Sequence, residues 1–441
     1  MLTRAPKKLC IGLSLATTWL GGNSWRRDDS RIEQIHDPAF YLSLAKRAEE
    51  ARLDFVFRPD ALFINPETLA DGPGFSSLDP TVLLSALALQ TSRIGLVSTA
   101  STTFMPPYVI ARQLQSLHHV SDGRAGWNIV TSLDGHLNFG AGAMPPADER
   151  YAMAAESAAV VRALWDSHPH EALRIERIAG RYADSSQVRT IDHVGQHFQV
   201  RGPLNLPSHP AGRPPLFQAG ASASGRQFAA SVADAVFAAT PDIAAGVELR
   251  QDLRARAARC GRSEDSVRVL PGLSLYLGHT RAEAQELYAA THAGLSMERR
   301  YQAIEHMLGL DLRAWPADHP LGVEMLPAQL PKPRSQTHAG LLLRLVQHER
   351  PTVETLLSRP EVVGAAHWNV IGTVDDAVVS IIERVDAGAA DGLILLPGGA
   401  LSSLDLALTE LVPRLVEYGL FDREYSGTTL REHLQKTGDD A

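Results

Sequence analysis

The stretch 94–132, IGLVSTASTTFMPPYVIARQLQSLHHVSDGRAGWNIVTS, holds one full turn of the pattern that runs through this chain. IGLVSTAS (94–101) is a short, nearly continuous apolar run, as expected of a strand buried on both faces. PYVIARQLQSLHHV (107–120) puts Ile110, Leu114 and Leu117 on one stripe of a helix. AGWNIVTS (125–132) reads as the next strand, and ERYAMAAESAAVVRALWDS (149–167) as the helix behind it. A strand that returns through a helix to another buried strand belongs to a parallel sheet.

Outward from this unit the rhythm repeats. LCIGLSLA (9–16) precedes a helix in which Tyr41, Leu44, Ala45 and Ala48 share a face, and DFVFRPD (54–60) follows. PLFQAG (215–220), DAVFAAT (234–240), VRVLPGLSLYLG (267–278) and DGLILLPGG (391–399) continue it. Eight strand–helix units predict an α/β fold, a TIM (β/α)8 barrel, with its site built from loops at the C-terminal strand ends. The competing doubly wound sheet lacks a G-x-G-x-x-G after the first strand; Gly140 and Gly142 begin such a pattern without a third glycine. Two spans break the rhythm. Residues 170–214 read as a hairpin excursion, and residues 292–370, with several prolines and little strand character, as a lid-like insertion. Residues 1–441 are thus expected to form one domain.

Composition narrows the function. Hydrophobic residues at 44% and charged residues at 21% suit a globular protein with a sizeable core. A net charge of −8 without a basic block argues against nucleic acid as a partner. Two cysteines, Cys10 and Cys260, leave no disulfide framework or zinc site, and no metal is expected. Arg4, Lys7 and Lys8 before LCIGLSLATTWL imitate a secretory signal, but Gly12, Ser14, Thr17 and Thr18 dilute it and no A-x-A-like site follows. The segment reads as the first strand, no stretch is long enough for a membrane span, and a cytoplasmic location is expected.

PLFQAGASASGR (215–226) combines a strand end, a small-residue turn and a helix start, where free backbone N–H groups suit a phosphate. Gly220 and Gly225 are spaced as in a P-loop, but Arg226 and Gln227 stand where Lys and Ser/Thr are required, so the turn suits holding a phosphate rather than transferring one. A plain helix cap explains the same residues. At the other strand ends lie Asp60, Thr99, Asn128, Thr131 and Ser132, with Tyr151 at the start of a helix. Together with Ser222 they describe a site for a polar, phosphorylated, planar ligand. Each has a structural reading as well: Asp60 as a cap, Asn128 and Thr131 as partners of local backbone, Tyr151 as a helix-surface ring. His118, His119 and Trp127 read as structural. No G-x-S-x-G elbow, H-E-x-x-H pair or carboxylate dyad is present.

RIGLVSTASTTFMPPYVIAR, SDGRAGWNIVTS, DERY, GRPPLFQAGASASGRQFAA, DAGAADGLILLP and GLFDREYSGTTLREHL resemble the bacterial-luciferase-like flavin monooxygenases related to nitrilotriacetate, dibenzothiophene-sulfone and long-chain-alkane monooxygenases. The resemblance covers almost the whole chain and implies a TIM barrel. It implies FMN contacts at Asp60, Thr99, Tyr151 and Ser222, with Asn128 near the flavin or substrate as the candidate catalytic residue. The implied reaction is two-component: an NAD(P)H-dependent flavin reductase supplies reduced FMN, O2 adds to it as a flavin C4a-(hydro)peroxide, and one oxygen atom enters a small organic substrate. A homo-oligomer is also expected. The chain departs from the family in three places. Ala147 stands where the family usually has His, Arg58 and Pro59 replace Leu-Ala before Asp60, and the loop GGNSWRRDDS lacks the family's paired His while keeping Trp25 and Arg26. His306, Trp315, His319 and Met325 in the insertion are candidates for lining the substrate pocket. Rival readings are a flavin- or deazaflavin-dependent hydride-transfer enzyme, a flavin-degrading enzyme and a non-catalytic flavin-binding protein.

Overall fold

The computed structural model describes residues 8–16, 22–220, 222–331, 336–397 and 400–436. Its main sheet has nine strands: β1 (Cys10–Ser14), β2 (Phe55–Arg58), β3 (Gly95–Ser101), β4 (Ala125–Val130), β5 (Leu216–Gln218), β6 (Ala235–Ala238), β7 (Arg268–Leu277), β8 (Trp368–Gly372) and β9 (Gly392–Pro397). The order β6-β5-β4-β3-β2-β1-β9-β7-β8 is closed by a further β6–β7 pairing, and every pairing is parallel. Eight strands therefore form the predicted closed barrel. β8 is a ninth strand that the sequence reading missed. It lies across the end of the supposed insertion and, among the described residues, pairs only with Leu273–Leu277 of β7, beyond the reach of β6, which meets Arg268–Pro271.

Strand alternation divides the side chains between two layers. Ile11, Leu13, Val56 and Leu96 point outward against the helices. Phe55, Phe57, Val97, Phe217, Leu270 and Ile394 fill the barrel, with Phe55 and Phe217 packed edge-on at 5.2 Å, and Phe57 and Phe237 likewise. The floor is a plug from the last described residues. The short helix Leu430–Leu434, fixed by a Thr429/Glu432 capping box, drives Leu430 into the barrel. Gly95 and Gly126 make room for it: a Cβ at either would lie within 2.6 Å of Leu430. Beneath the plug, buried Asp54 accepts from the Ile11 N–H at 2.7 Å and pairs with Lys436 Nζ at 2.6 Å.

The outer layer confirms the bland reading of three residues. Trp127 is fully buried and meets Trp165 edge-on. His118 and His119 donate to the carbonyls of Gly212 and Pro207, tying the 170–214 excursion to the helix Pro107–Val120. Within that excursion, Leu173–Glu176 pairs with Arg181–Ala183 and His193–Val194 with Gln199–Val200. Cys10 is buried and Cys260 exposed.

The later span carries the helices Met297–Leu308, Gln336–Glu349, Val353–Leu357 and Pro360–Val363 around their own core of Ile304, Leu308, Leu342, Leu345 and Leu356. Arg344 and Arg359 clamp it to Asp242, just past β6, at 2.9 and 3.3 Å. No described helix is long and apolar enough to cross a membrane.

Candidate functional site

Two contiguous cavities open at the C-terminal end of the barrel, of about 820 and 900 Å³. They share a wall made by Gly74, Phe75, Phe237, Ala365 and His367. The His367 ring stacks on Phe237 at 5.0 Å, and burial pushes its imidazole down to about 4, so it is neutral at physiological pH.

The smaller cavity gathers Asp60, Thr131, Ser132 and Ser222 from the segments after β2, β4 and β5, and Tyr151 from the helix Ala147–Asp166. Its most specific feature is a cradle around Gly220. A Cβ there would meet the Tyr151 hydroxyl at 2.7 Å and collide with the Gln218 amide, so only glycine lets these polar groups close around the turn. Gln218 Oε1 is buried without a partner among the described residues, an orphan acceptor that fits a ligand donor. Ser222 is the N-cap of the helix Ala223–Val232, its Oγ accepting from Gly225 N–H at 3.2 Å. The cap reading is thus realised, and the same residue lines the cavity. Ser224 donates to Asp148 at 2.6 Å, which brings the start of the helix Ala147–Asp166 beside the start of Ala223–Val232. Two positive helix ends then face one volume.

The cation here is one that the sequence reading overlooked. Arg150 lines this cavity, donating to the Pro145 carbonyl at 2.7 Å and leaving its buried Nε without a partner; among the described residues it is the cavity's one Lys or Arg. Arg226, the residue at the P-loop lysine position, is instead held outside by Glu248 and Asp252. The helical spacing of Asp-Glu-Arg-Tyr could have indicated Arg150, since Ala147, Arg150 and Tyr151 fall on one face. Asp60 lies across the cavity. Burial, reinforced by the charge of Asp79, pushes its carboxyl up to about 6. Phosphate, a polyhydroxyl chain and a planar ring are the groups that such a cradle, hydroxyl set and aromatic wall can hold.

Thr99 and Asn128 do not line either cavity. They are register partners on β3 and β4, lying below the Val130 and Thr131 positions that do reach it. Asn128 Nδ2 donates to Thr99 Oγ1 at 2.9 Å, and Thr99 Oγ1 donates to the Arg58 carbonyl at 2.7 Å. Asn128 Oδ1 is buried without a partner. Arg58 explains itself as an outward residue: it donates to the Leu15 carbonyl and lies 4.7 Å over the Tyr41 ring, behind the barrel wall.

The larger cavity lies under the N-terminal loop. Ser14, Asn23, Ser274 and Asn369 supply polar groups, Trp25, Tyr276 and Leu396 apolar ones, and Arg26 and Arg299 positive charge. Arg299 is paired with Asp71 at 2.6 Å, whereas Arg26 has no ion pair among the described residues. The expected lining residues of the insertion are elsewhere: His306 and Trp315 are exposed, His319 packs on Trp315 at 4.5 Å, and Met325 joins the insertion's own core. His292, His338 and His367 take their place in the cavity walls. No cluster of metal-ligating side chains occurs among the described residues.

Comparison with known proteins agrees with this geometry. Residues 22–390 match the family model described as luciferase-like monooxygenase. Nitrilotriacetate monooxygenase component A of Aminobacter aminovorans is 35% identical, over 98% of this chain and 97% of that protein. Among solved structures, EDTA monooxygenase from Chelativorans sp. BNC1 superposes with a TM-score of 0.81 at 31% identity, over 98% and 99% of the two chains. A riboflavin lyase solved with modified FMN and riboflavin superposes with a TM-score of 0.83 at 30% identity, over 98% and 96%.

Proposed function

The chain belongs to the luciferase-like monooxygenase family, and from this premise we propose that it is the oxygenating component of a two-component system, using reduced FMN and O2 on a small carboxylated substrate. The observation that carries the reading is the pair of joined cavities, one with a phosphate-type cradle and one whose unpaired charge is the Arg26 guanidinium. We assign FMN to the cradle cavity, with its phosphate at Ser222, Gly220, Tyr151 and Arg150. Asp60 accepts from ribityl hydroxyls, and the Phe237–His367 wall orients the ring toward the second cavity. Bound reduced FMN supplies the electrons that activate dioxygen. The protein's part is to exclude water, fix the distance between the two compartments and hold the substrate. Thr99 and Asn128, one layer below, lock the strand ends that carry the cradle.

The carboxylate preference rests on Arg26, on the absence of an unpaired acid in that cavity among the described residues, and on relatives named for nitrilotriacetate and EDTA. Dependence on a reductase is the decisive test of the two-component reading. Purified protein with NADH and oxidised FMN is expected to be inactive, and added flavin reductase to restore substrate-dependent oxygen uptake. Unaided NADH oxidation at a catalytic rate would refute it. Oxygen uptake that yields only peroxide, with every carboxylate tried, would favour a flavin-binding protein without oxygenase activity.

The phosphate assignment has its own test. Ser222→Ala should weaken FMN by about 1–2 kcal/mol, the worth of a hydrogen bond to a charged group. Riboflavin, which lacks the phosphate, should be affected less. Equal losses in a fluorescence titration would reduce Ser222 to its capping role.

A further inference from the structure

His292 ends the helix Arg281–His292 and lines the 900 Å³ cavity. Its Nδ1 lies 2.9 Å from the Tyr288 carbonyl oxygen. A carbonyl has no hydrogen to give, so Nδ1 carries the N–H, and in a neutral imidazole Nε2 is then the lone-pair nitrogen. Nε2 has no partner among the described residues and is not sealed off. The ring is wedged between Tyr288 at 4.3 Å and Tyr276 at 5.7 Å, which fixes its direction.

The surroundings favour the neutral form. Burial holds the imidazole below its usual value, more than the bond to Tyr288 raises it, and Arg300 on the next helix lowers it further. Tyr276 on β7 and Tyr288 on the same helix are phenols that burial keeps protonated. The charged residues lining this cavity are Arg26, Arg299 and Asp71, and Asp71 is engaged by Arg299. Among the described residues no carboxylate bonds or pairs with His292. The cavity therefore offers guanidinium donors for an anion and one fixed acceptor.

Building on the carboxylate reading above, we propose that His292 is a specificity residue: its Nε2 accepts an N–H from the substrate, so that the cavity selects carboxylates that also carry a nitrogen-bound hydrogen. The aminopolycarboxylate class meets this requirement, because its tertiary amine is protonated at neutral pH and donates a single N–H from the midst of its carboxylates. The N-terminal loop supports the same placement. Asn23 N–H donates to the Thr291 carbonyl at 2.9 Å, and a Cβ at Gly294 would meet Asn23 Oδ1 at 2.8 Å, so the loop bearing Arg26 is seated directly on the helix end bearing His292. Anion site and acceptor are held in fixed relation.

The test compares nitrilotriacetate with propane-1,2,3-tricarboxylate, which has three carboxylates and no N–H, binding to the FMN-loaded protein by calorimetry. Wild-type protein is expected to prefer nitrilotriacetate by about tenfold, one hydrogen bond to a charged donor. His292→Phe, which keeps an aromatic ring against Tyr276 and Tyr288, should abolish the preference while leaving FMN affinity unchanged. His292→Gln, whose amide oxygen reaches the Nε2 position, should retain part of it. A preference that survives in His292→Phe, or equal binding of the two compounds to wild type, overturns the role of His292 but leaves the carboxylate reading standing. Wild-type protein that binds neither compound overturns both.

Discussion

Asp54→Ala is expected to cost about 3–5 kcal/mol of folding stability, the penalty for stripping one partner from a buried ion pair. Asp54 is fully buried, and its two oxygens serve Lys436 at 2.6 Å and the Ile11 N–H at 2.7 Å. Burial alone would lower the Lys436 ammonium, but Asp54, with help from Asp422, outweighs it and leaves the group above its usual value. Removing the carboxylate leaves that ammonium with Asp422 alone, at 3.3 Å and partly in water. The double variant Asp54→Leu/Lys436→Met removes both charges and should recover about 2 kcal/mol of the loss, since well-packed apolar residues often replace such pairs at little cost. Urea unfolding of the three proteins measures this. A single variant that loses under about 1 kcal/mol, or a double variant no better than the single, would show that the pair does not hold the plug.

Gly220→Ala should cost about 1–3 kcal/mol in FMN binding, the range for forcing a methyl into a filled space. Gly220 does not adopt a left-handed backbone conformation, so alanine can follow its path and the effect is steric. The new Cβ would displace the Tyr151 hydroxyl and the Gln218 amide, the two groups proposed to close on the phosphate side of the ligand. Gly142→Ala is the control, because nothing lies within 4 Å of the Cβ it would add. If the two variants bind FMN equally, as followed by flavin fluorescence, the cradle is not where FMN sits.

The barrel was legible because buried parallel strands are continuous apolar runs with helices of a different period between them. Each outer-layer stripe, such as Ile110, Leu114 and Leu117, is buried as its spacing implies. β8 escaped because WNVIG has a single strand neighbour and alternates between buried and half-buried positions, which leaves a weak signal in a span rich in helix and proline. At the site, residues immediately after the strands reached the cavity, as Asp60 and Ser222 do. Thr99 and Asn128, still inside their strands, stop short of it. Arg150, His292 and His367 were not anticipated, because each enters the wall through tertiary packing of a helix or an extra strand. No local pattern distinguishes such a residue from any other polar residue of a helix face or strand start.

The floor of the barrel is assembled from parts that lie far apart along the chain. His433 Nδ1 meets the Asp54 carbonyl at a separation of 379 residues, and the Leu430 plug fills the spaces left by Gly95 and Gly126. Contacts of such long range form late, because the loop they close must be ordered first. Until they form, the rings of Phe55 and Phe217 line an open-ended tube. A refolding protein is therefore expected to pass through a state with wet aromatic surface, prone to self-association. Recovery from denaturant should consequently fall as protein concentration rises, even where the finished enzyme is stable.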